Sequence, residues 1–179
     1  MNSEETLRGF NRSYLEECFS IEDWVLYWKE RPLSHFKSEK SQKTFNTCFS
    51  GKKAGRINNG YLQIHFSKCM LLNHRIIYFL AFKTVPKVVD HIDGNTLNNN
   101  PDNLRSVNFS QNGMNCKTST NNSSGRKGVY FHKSTGKYTA SIRIDKKLKH
   151  LGIFANISDA ENARLLAEKK YYGVYANDR

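Results

Sequence analysis

A polar stretch rich in asparagine interrupts the chain between residues 95 and 126. Ten of the 28 residues from 95 to 122 are asparagine, a residue that tolerates turn conformations and bonds to its own backbone. Residues 117–126 contain no apolar side chain, a composition that is typical of a linker. We therefore expect the 179 residues to form two small modules rather than one continuous core.

Positive charge is concentrated after this interruption. The formal net charge is +12, and residues 117–179 carry 13 basic and 5 acidic side chains. Such an excess of positive charge attracts polyanions to the protein surface, so nucleic acid is the leading candidate for a binding partner. A protein of membrane surfaces would also be basic, but the sequence shows neither the long amphipathic helix nor the lipidation signal that such a protein needs.

The cysteines are widely spaced along the chain. They are Cys18, Cys48, Cys69 and Cys116. Because they form no CxxC motif and no Cys/His cluster, we expect free thiols and no structural zinc. No signal peptide opens the sequence, and no apolar run approaches the roughly 18 residues of a bilayer span. The expectation is a cytoplasmic protein that does not contact membranes.

The segments before the asparagine-rich stretch have short-range patterns. Residues 1–60 mix aromatic and polar side chains, and we expect a small cap of short strands or helices. Tyr61–Phe66 alternates apolar and polar residues after the pair Asn59–Gly60, which predicts a strand beside a tight turn. Residues 74–82 are largely apolar with helical spacing, which predicts a buried helix.

The pattern after residue 127 is the clearest in the chain. Three strands are predicted over residues 128–133, 137–145 and 148–154, with turns at 134–136 and 146–147. Alternation in the second strand places Tyr138 on the core face. A helix follows, for which Ser158 and Glu161 predict a capping box, and Gly173 is expected to end it. This part is predicted to be a three-stranded antiparallel sheet backed by one helix.

An apolar strand leads directly into adjacent Asp90 and His91. Asn103 lies twelve residues past His91, and Asn112 lies nine residues further. Cutting a phosphodiester requires a nucleophilic water, a cation and a fixed geometry. Magnesium prefers hard oxygen ligands, and histidine is the side chain that titrates near neutral pH, so these residue types suit that reaction.

The whole string resembles a known nuclease motif. Asp-His-Ile-Asp-Gly-Asn at 90–95, followed by Asn-Leu-Arg at 103–105 and Gln-Asn at 111–112, is similar to the HNH motif of phage homing endonucleases. The resemblance implies an α+β fold with a ββα-metal (His-Me finger) core over about 87–116. The nuclease module as a whole is expected to cover residues 61–116.

The resemblance also implies the role of each residue. Asp90 and Asn112 would bind Mg²⁺, for which Mn²⁺ is expected to substitute. His91 would be the general base, and Asn103 would hold either the imidazole or the turn around it. Two alternatives stay open. Asp90 and Asp93 could simply flank a turn beside a surface histidine, and His74 has a family-like context, although a structural role is favoured for it.

A second resemblance covers residues 127–179. Lys-Gly-Val at 127–129, Ala-Ser-Ile-Arg at 140–143 and Leu-Gly-Ile-Phe at 151–154 are similar to the APETALA2-type domain of plant ethylene-response factors. It implies that the outer face of the sheet enters the major groove of duplex DNA. Tyr130 and His150 depart from the plant pattern, so no target sequence is implied. The residues predicted to contact DNA are Arg105, Arg126, Lys127, Tyr130, His132, Lys137, Arg143, Lys149 and His150.

Taken together, the motifs predict a magnesium-dependent homing-type endonuclease that nicks or cuts duplex DNA as a monomer or weak dimer. Weaker similarity to the N-terminal region of the same phage enzymes appears at Trp28–Pro32 and Phe49–Gly55. A phage origin would place the protein in the host cytoplasm. The alternative from another class is a sequence-specific DNA-binding regulator with an inactive HNH scaffold. RNA binding is disfavoured because no aromatic platform for unpaired bases is evident.

Overall fold

The computed structural model describes residues 5–66, 68–115, 122 and 124–176. The fold is of the α+β class, and it divides into two compact units, Met1–Ser106 and Val107–Arg179. The division falls before the predicted linker. Because most of that linker lies outside the described residues, its structure stays a prediction.

Among its described residues, the first unit contains three α-helices and three small sheets. Its elements are α1 (Arg12–Cys18), β1 (Phe19–Glu22), β2 (Val25–Trp28), α2 (Glu39–Phe49), β3 (Arg56–Asn58), β4 (Tyr61–Phe66), β5 (Cys69–Leu72), α3 (Asn73–Phe82), β6 (Val88–His91) and β7 (Leu104–Val107), whose last residue begins the second unit. β1 pairs with β2, β4 lies between β3 and β5, and β6 pairs with β7. Short 3₁₀ helices cover Leu33–His35 and Pro101–Asn103.

Local sequence explains the hairpin between β3 and β4. Asn58 pairs with Tyr61, which leaves Asn59 and Gly60 as a two-residue loop. Both loop residues have positive φ angles, 48° and 79°, as the tightest hairpin turns require. The predicted strand and turn are therefore confirmed, and α3 confirms the predicted buried helix with a start one residue earlier.

One hydrophobic core joins the predicted cap to the predicted nuclease module. Leu15 and Leu26, both from the first 60 residues, are 0% exposed, as are Ile76 and Ile77 of α3. All four belong to a single cluster of buried side chains that extends to Leu104. Residues 1–60 therefore supply much of the core on which α3 and the strand β6 rest.

Over the part of the chain that the structure describes, the second unit has a three-stranded sheet and two α-helices. Its elements are α4 (Phe109–Asn115), β8 (Val129–His132), β9 (Lys137–Ile144), β10 (Lys147–Phe154) and α5 (Ile157–Tyr171), followed by a 3₁₀ helix at Gly173–Tyr175. The strands are antiparallel in the order β10-β9-β8. α5 covers the apolar face, where Val129, Ala140 and Ala160 are fully buried. This arrangement confirms the predicted sheet and helix.

Two local predictions in this unit are wrong. The turn after β9 is Asp145–Lys146, with φ angles of 46° and 66°, and Lys147 is already paired with Ile144 in β10. Aspartate tolerates the left-handed conformation that the first loop position needs. The predicted capping box is also absent, because α5 begins at Ile157 and Asn156 is its N-cap, so that Ser158 lies inside the helix.

Expectations about cysteines, metal clusters and membrane-spanning helices can be compared with the described residues. Cys18, Cys48 and Cys69 are free thiols, whereas Cys116 lies outside the described residues. No group of three or more His, Cys, Asp or Glu side chains that could hold a metal occurs among the described residues. Within the same residues, no helix has both the length and the apolar character needed to span a bilayer.

Substitution of Gly128 would test how tightly the second unit is packed. Its φ is +77°, and a Cβ atom there would overlap the Arg164 guanidinium and the Ser141 carbonyl oxygen. We expect Gly128→Ala to lower the free energy of unfolding by roughly 2–5 kcal/mol, from overpacking and left-handed strain combined. Gly136→Ala is the matched control, since its φ is +64° with nothing within 4 Å, and it should cost only about 1–2 kcal/mol. Urea unfolding followed by far-UV circular dichroism measures both, and equal losses would contradict the packing.

Candidate active site

The end of β6 places two of the predicted site residues side by side in a buried position. Asp90 is 8% exposed and His91 is 3% exposed. Val89, which precedes them, belongs to the core of the first unit. The apolar part of the strand therefore anchors the backbone, and the polar pair occupies its C-terminal end, as the sequence predicted.

Asp90 forms an ion pair across the small sheet. The guanidinium of Arg105, on β7, donates from Nε at 2.9 Å and from Nη2 at 2.8 Å, and both bonds reach Oδ2 of the carboxylate. A pair this well aligned and largely withdrawn from water fixes the rotamer of the aspartate. Arg105 was predicted to contact DNA, and the structure places its guanidinium on the proposed metal ligand.

His91 is enclosed by polar and aromatic side chains of the first unit. Its Nε2 lies 3.2 Å from Oδ1 of Asn99, a residue that is itself 3% exposed. The ring of His74, on α3, meets the His91 ring edge-on at 4.9 Å between centroids, and the ring of Tyr61 lies 6.2 Å away. The neighbouring rings therefore restrict rotation of the imidazole, and the contact with Asn99 restrains one of its nitrogens.

His74 is a neutral member of this cluster. Burial, followed by the nearby His91 and Arg75, lowers its pKa from 6.5 to about 3. The charged form of a histidine is disfavoured where water is excluded and other cationic groups are close. The sequence favours a structural role for His74, and in the structure its ring packs directly against that of the predicted general base, His91.

The reversal between β6 and β7 is organised by Asp93. Its Oδ1 accepts from the backbone N–H of Asn95 at 2.8 Å and from Nδ2 of Asn103 at 2.9 Å, and its Oδ2 accepts from Nδ2 of Asn98 at 2.7 Å. Partial burial raises the pKa of Asp93, but the bonds from Asn98, Asn95 and Asn103 outweigh it, and the pKa lies below its ordinary value.

Asn103 holds this turn. Its Oδ1 accepts from the backbone N–H of Asp93 at 2.9 Å, and its Nδ2 donates to the carbonyl of Asn98 at 2.8 Å as well as to Asp93. Of the two roles left open by the sequence, these bonds correspond to the turn, while the side chain that touches the imidazole is Asn99.

The asparagine-rich composition has a local explanation. Asn95, Asn98 and Asn100 each accept, through Oδ1, a hydrogen bond from the backbone N–H two residues further on, at 3.2, 3.4 and 3.0 Å. Such bonds replace the backbone pairing that a loop lacks. The stretch is therefore an ordered loop in which successive side chains close successive turns.

Asn112 lies on α4, in the second unit. The start of this helix is fixed by a reciprocal pair, in which Gln111 Oε1 accepts from the Asn108 N–H and Asn108 Oδ1 accepts from the Gln111 N–H, both at 2.8 Å. This is a capping-box arrangement, which satisfies donors that a helix start leaves open. Gln111 of the recognised motif thus orients the first turn of the helix that carries Asn112.

The side chains predicted to bind magnesium have suitable chemistry. Asp90 offers a carboxylate whose orientation is fixed by Arg105, and Asn112 offers an amide oxygen on a capped helix. Both are hard oxygen donors, and magnesium keeps several of its waters, so two protein ligands can suffice. Each residue, taken by itself, therefore offers an oxygen of the kind that magnesium binds.

Most of the DNA contacts predicted for the C-terminal module share one face of its sheet. Strand register places them opposite the side covered by α5, and all of them are exposed: Tyr130, His132, Lys137, Arg143 and His150. Lys149 points the other way, since it pairs with buried Ile142 and its Nζ donates to the Tyr171 hydroxyl at 2.7 Å. Tyr138 packs on the core face against Phe131, as predicted.

The remaining two predicted contacts make bonds inside the second unit. Arg126 pairs with Glu168 at 3.3 Å, and Glu168 also accepts from Nε of Arg164 at 2.8 Å. Lys127 donates from Nζ to the carbonyl of Gly113, on α4, at 2.6 Å. These side chains tie the strands to the two helices, which is a structural role beside the predicted one.

A pocket of about 550 Å³ opens in the second unit beside the outer face of the sheet. Arg143 and Tyr130 of that face line it together with Lys146, and Phe109 of α4 forms another wall. Among the described residues that line it, none is acidic. The pocket therefore adds positive and aromatic surface to the face that carries the predicted DNA contacts.

The lowered pKa of His74 has a measurable consequence for stability. The unfolded chain takes up a proton at His74 below pH 6.5, whereas the folded protein does so only near pH 3. Stability is therefore lost as pH falls below about 6.5, by about 2 kcal/mol between pH 7 and pH 5. His74→Phe removes this contribution while keeping a ring. Urea unfolding at both pH values should give a smaller loss for the variant, and identical losses would contradict the neutral, buried state.

The segment that contains Asp90, His91 and Asn112 is similar to known proteins. Residues 72–114 match the family model described as HNH endonuclease. Protein 3.8 of Escherichia phage T7 is 36% identical over 76 residues, which are 41% of this chain and 63% of the phage protein. The chain thus spans less than two thirds of that relative's length, and no solved structure matches. The segment from α3 to α4 is therefore similar to HNH endonucleases, and a phage protein is among the chain's relatives.

Proposed function

We propose that this protein is a magnesium-dependent HNH endonuclease of the homing type, which hydrolyses phosphodiester bonds in duplex DNA. The observation that carries the proposal is the pair Asp90 and His91 at the end of β6, buried and braced inside the segment 72–114 that matches the HNH family. A carboxylate and an imidazole held next to each other are what metal-assisted hydrolysis of a phosphodiester needs.

Asp90 and Asn112 would hold the ion, which when bound offsets charge on the phosphate and acidifies water. Arg105 keeps the carboxylate in one rotamer through its bonds to Oδ2. His91 takes the proton from the attacking water, a role in which a positioned base contributes on the order of 10²–10⁴ in rate. Asn103 fixes the reversal that follows His91, so that the imidazole is presented from an ordered loop.

The C-terminal unit would dock on the DNA as an APETALA2-type domain. Its outer face, opposite the side covered by α5, carries the exposed side chains of Tyr130, His132, Lys137, Arg143 and His150. Lysine and arginine on such a face neutralise phosphates and release counterions, and arginine can bond guanine in bidentate fashion. The net charge of +12 favours accumulation of duplex DNA at this surface.

A monomer with one site would nick a strand, and a double-strand break would need a weak dimer or two successive events. The chemistry at Asp90 and Asn112 suits Mn²⁺ as well as Mg²⁺. In a phage-infected cell the protein would act in the host cytoplasm. The rival function is a DNA-binding regulator that keeps the HNH scaffold without its activity, and it predicts binding without cleavage.

Plasmid cleavage separates the two functions. With Mg²⁺, the wild-type protein should convert supercoiled DNA to nicked or linear forms, and EDTA should stop it. His91→Ala should lower the rate on the order of 10²–10⁴-fold, because the water loses its base. His65→Ala is the matched control, since His65 is an exposed histidine on β4 outside the site. Wild-type protein that binds the plasmid and leaves it supercoiled with either metal would establish the regulator instead.

Salt dependence tests the DNA-binding face. Arg143→Gln should weaken binding and reduce the slope of log K against log[salt] by about 1, because one phosphate contact is lost, or relax the preference at one base if Arg143 bonds guanine. Lys169→Gln removes the same charge from the exposed side of α5 and should leave the slope within error of wild type. Fluorescence anisotropy with a labelled duplex at several salt concentrations measures both, and equal effects would argue against the sheet as the reader.

A further inference from the structure

The contact between His91 and Asn99 defines which nitrogen of the imidazole carries hydrogen. Nε2 of His91 lies 3.2 Å from Oδ1 of Asn99. A side-chain carbonyl oxygen has lone pairs and no hydrogen, so it can only accept. Nε2 must therefore be the protonated nitrogen, and in the neutral ring the lone pair belongs to Nδ1.

The surroundings make this bond consequential. His91 and Asn99 are each 3% exposed, so little water competes for either group. A hydrogen bond between buried partners contributes about 0.5–1.5 kcal/mol net, and leaving one of them unmet costs about 1–3 kcal/mol. The cost of the unmet partner corresponds to a preference of roughly 5- to 160-fold for the Nε2–H tautomer over the other.

Neighbouring rings also restrict the movement of the His91 ring. The His74 ring meets it edge-on, with 71° between the ring planes, and the centroid of the Tyr61 ring lies 5.6 Å from that of His74. These contacts limit rotation of the His91 ring about its own axis, so that the identity of the protonated nitrogen also fixes the direction of the lone pair. Orientation and tautomer are thus set by different neighbours.

We propose that Asn99 is the positioning residue of the general base. It locks His91 as the Nε2–H tautomer, so that Nδ1 is the nitrogen that accepts the proton of the attacking water. In that step the water O–H bond breaks, its proton bonds to Nδ1, and the hydroxide oxygen forms a bond to phosphorus while the P–O bond to the leaving sugar oxygen breaks; the leaving oxygen then takes a proton from solvent water. The proposal rests on the proposed nuclease function, and it assigns to Asn99 the holding of the imidazole, which the motif resemblance had offered as one of two roles for Asn103.

Two substitutions of similar shape separate the acceptor from the side chain's bulk. Asn99→Asp keeps an acceptor at the same position and has no N–H, whereas Asn99→Leu keeps the volume and removes the acceptor. Asn58→Leu is the control, since Asn58 is exposed on β3 and its amide bonds the Gln63 side chain and not the imidazole. Circular dichroism melts of all three show whether each variant is folded.

The decisive measurement is the ¹⁵N NMR signature of the His91 ring, assigned by its loss in His91→Gln and recorded where the ring is neutral. Wild type, Asn99→Asp and Asn58→Leu should show Nε2 as the protonated nitrogen, and Asn99→Leu should show a mixture. Cleavage should follow, with kcat lowered about 10- to 100-fold in Asn99→Leu and KM for DNA changed less than about 2-fold, and with Asn99→Asp retaining most of kcat.

Failure of this proposal can be told apart from failure of the nuclease function. A wild-type spectrum with hydrogen on Nδ1 overturns the role of Asn99 without any variant, even if the protein cuts DNA. The same result follows if Asn99→Leu is folded and keeps a pure Nε2–H signature. If the spectra are as expected but the protein binds DNA and never cuts it, the positioning of His91 by Asn99 is supported and the nuclease function is refuted.

Discussion

The hydrogen bonds accepted by the Asp93 carboxylate close the reversal between β6 and β7, and the proposed site depends on that closure. β6 delivers Asp90 and His91, β7 delivers Arg105, and the loop between them supplies Asn99. Bonds from Asn98, Asn95 and Asn103 to one carboxylate draw the loop together. A loop without them would leave polar groups unmet beside a buried histidine, which is costly.

The charged groups of the site are held in complementary pairs. Asp90 faces Arg105, so a buried carboxylate is matched by a guanidinium that donates twice to the same oxygen. His91 faces neutral partners, Asn99 and the uncharged ring of His74. The two neighbouring residues are thus prepared for different tasks by different surroundings.

The sequence predicted the parts of the fold that depend on periodicity and turn chemistry. Alternation identified β4 and β9, helical spacing identified α3, and the spacing from Asp90 to Asn112 pointed to the HNH segment that the family match supports. The start of α5 was wrong, because several polar residues near a helix start compete for the N-cap and only the exit of the chain from β10 decides between them.

Other features depend on tertiary contacts that no local pattern encodes. Residues 98–100 are three consecutive asparagines, and nothing in their order indicates that the middle one points inward at His91. Likewise, Arg126 and Lys149 are basic residues beside exposed strands, but their partners, Glu168 and the Tyr171 hydroxyl, lie on the helix behind the sheet. Contacts between distant parts of the sequence therefore give a structural partner to some basic side chains and leave others exposed, although the sequence alone does not distinguish them.

Helix α4 shares its apolar contacts with the C-terminal strands. Met114 packs against the cluster of Ile142, Ala167 and Tyr172, and Lys127 bonds the carbonyl of Gly113. The compact unit therefore begins near Val107 and includes the helix that carries Asn112. A fragment cut within residues 117–126 would separate Met114 from the apolar side chains against which it packs, so the chain is better divided for separate expression before Val107.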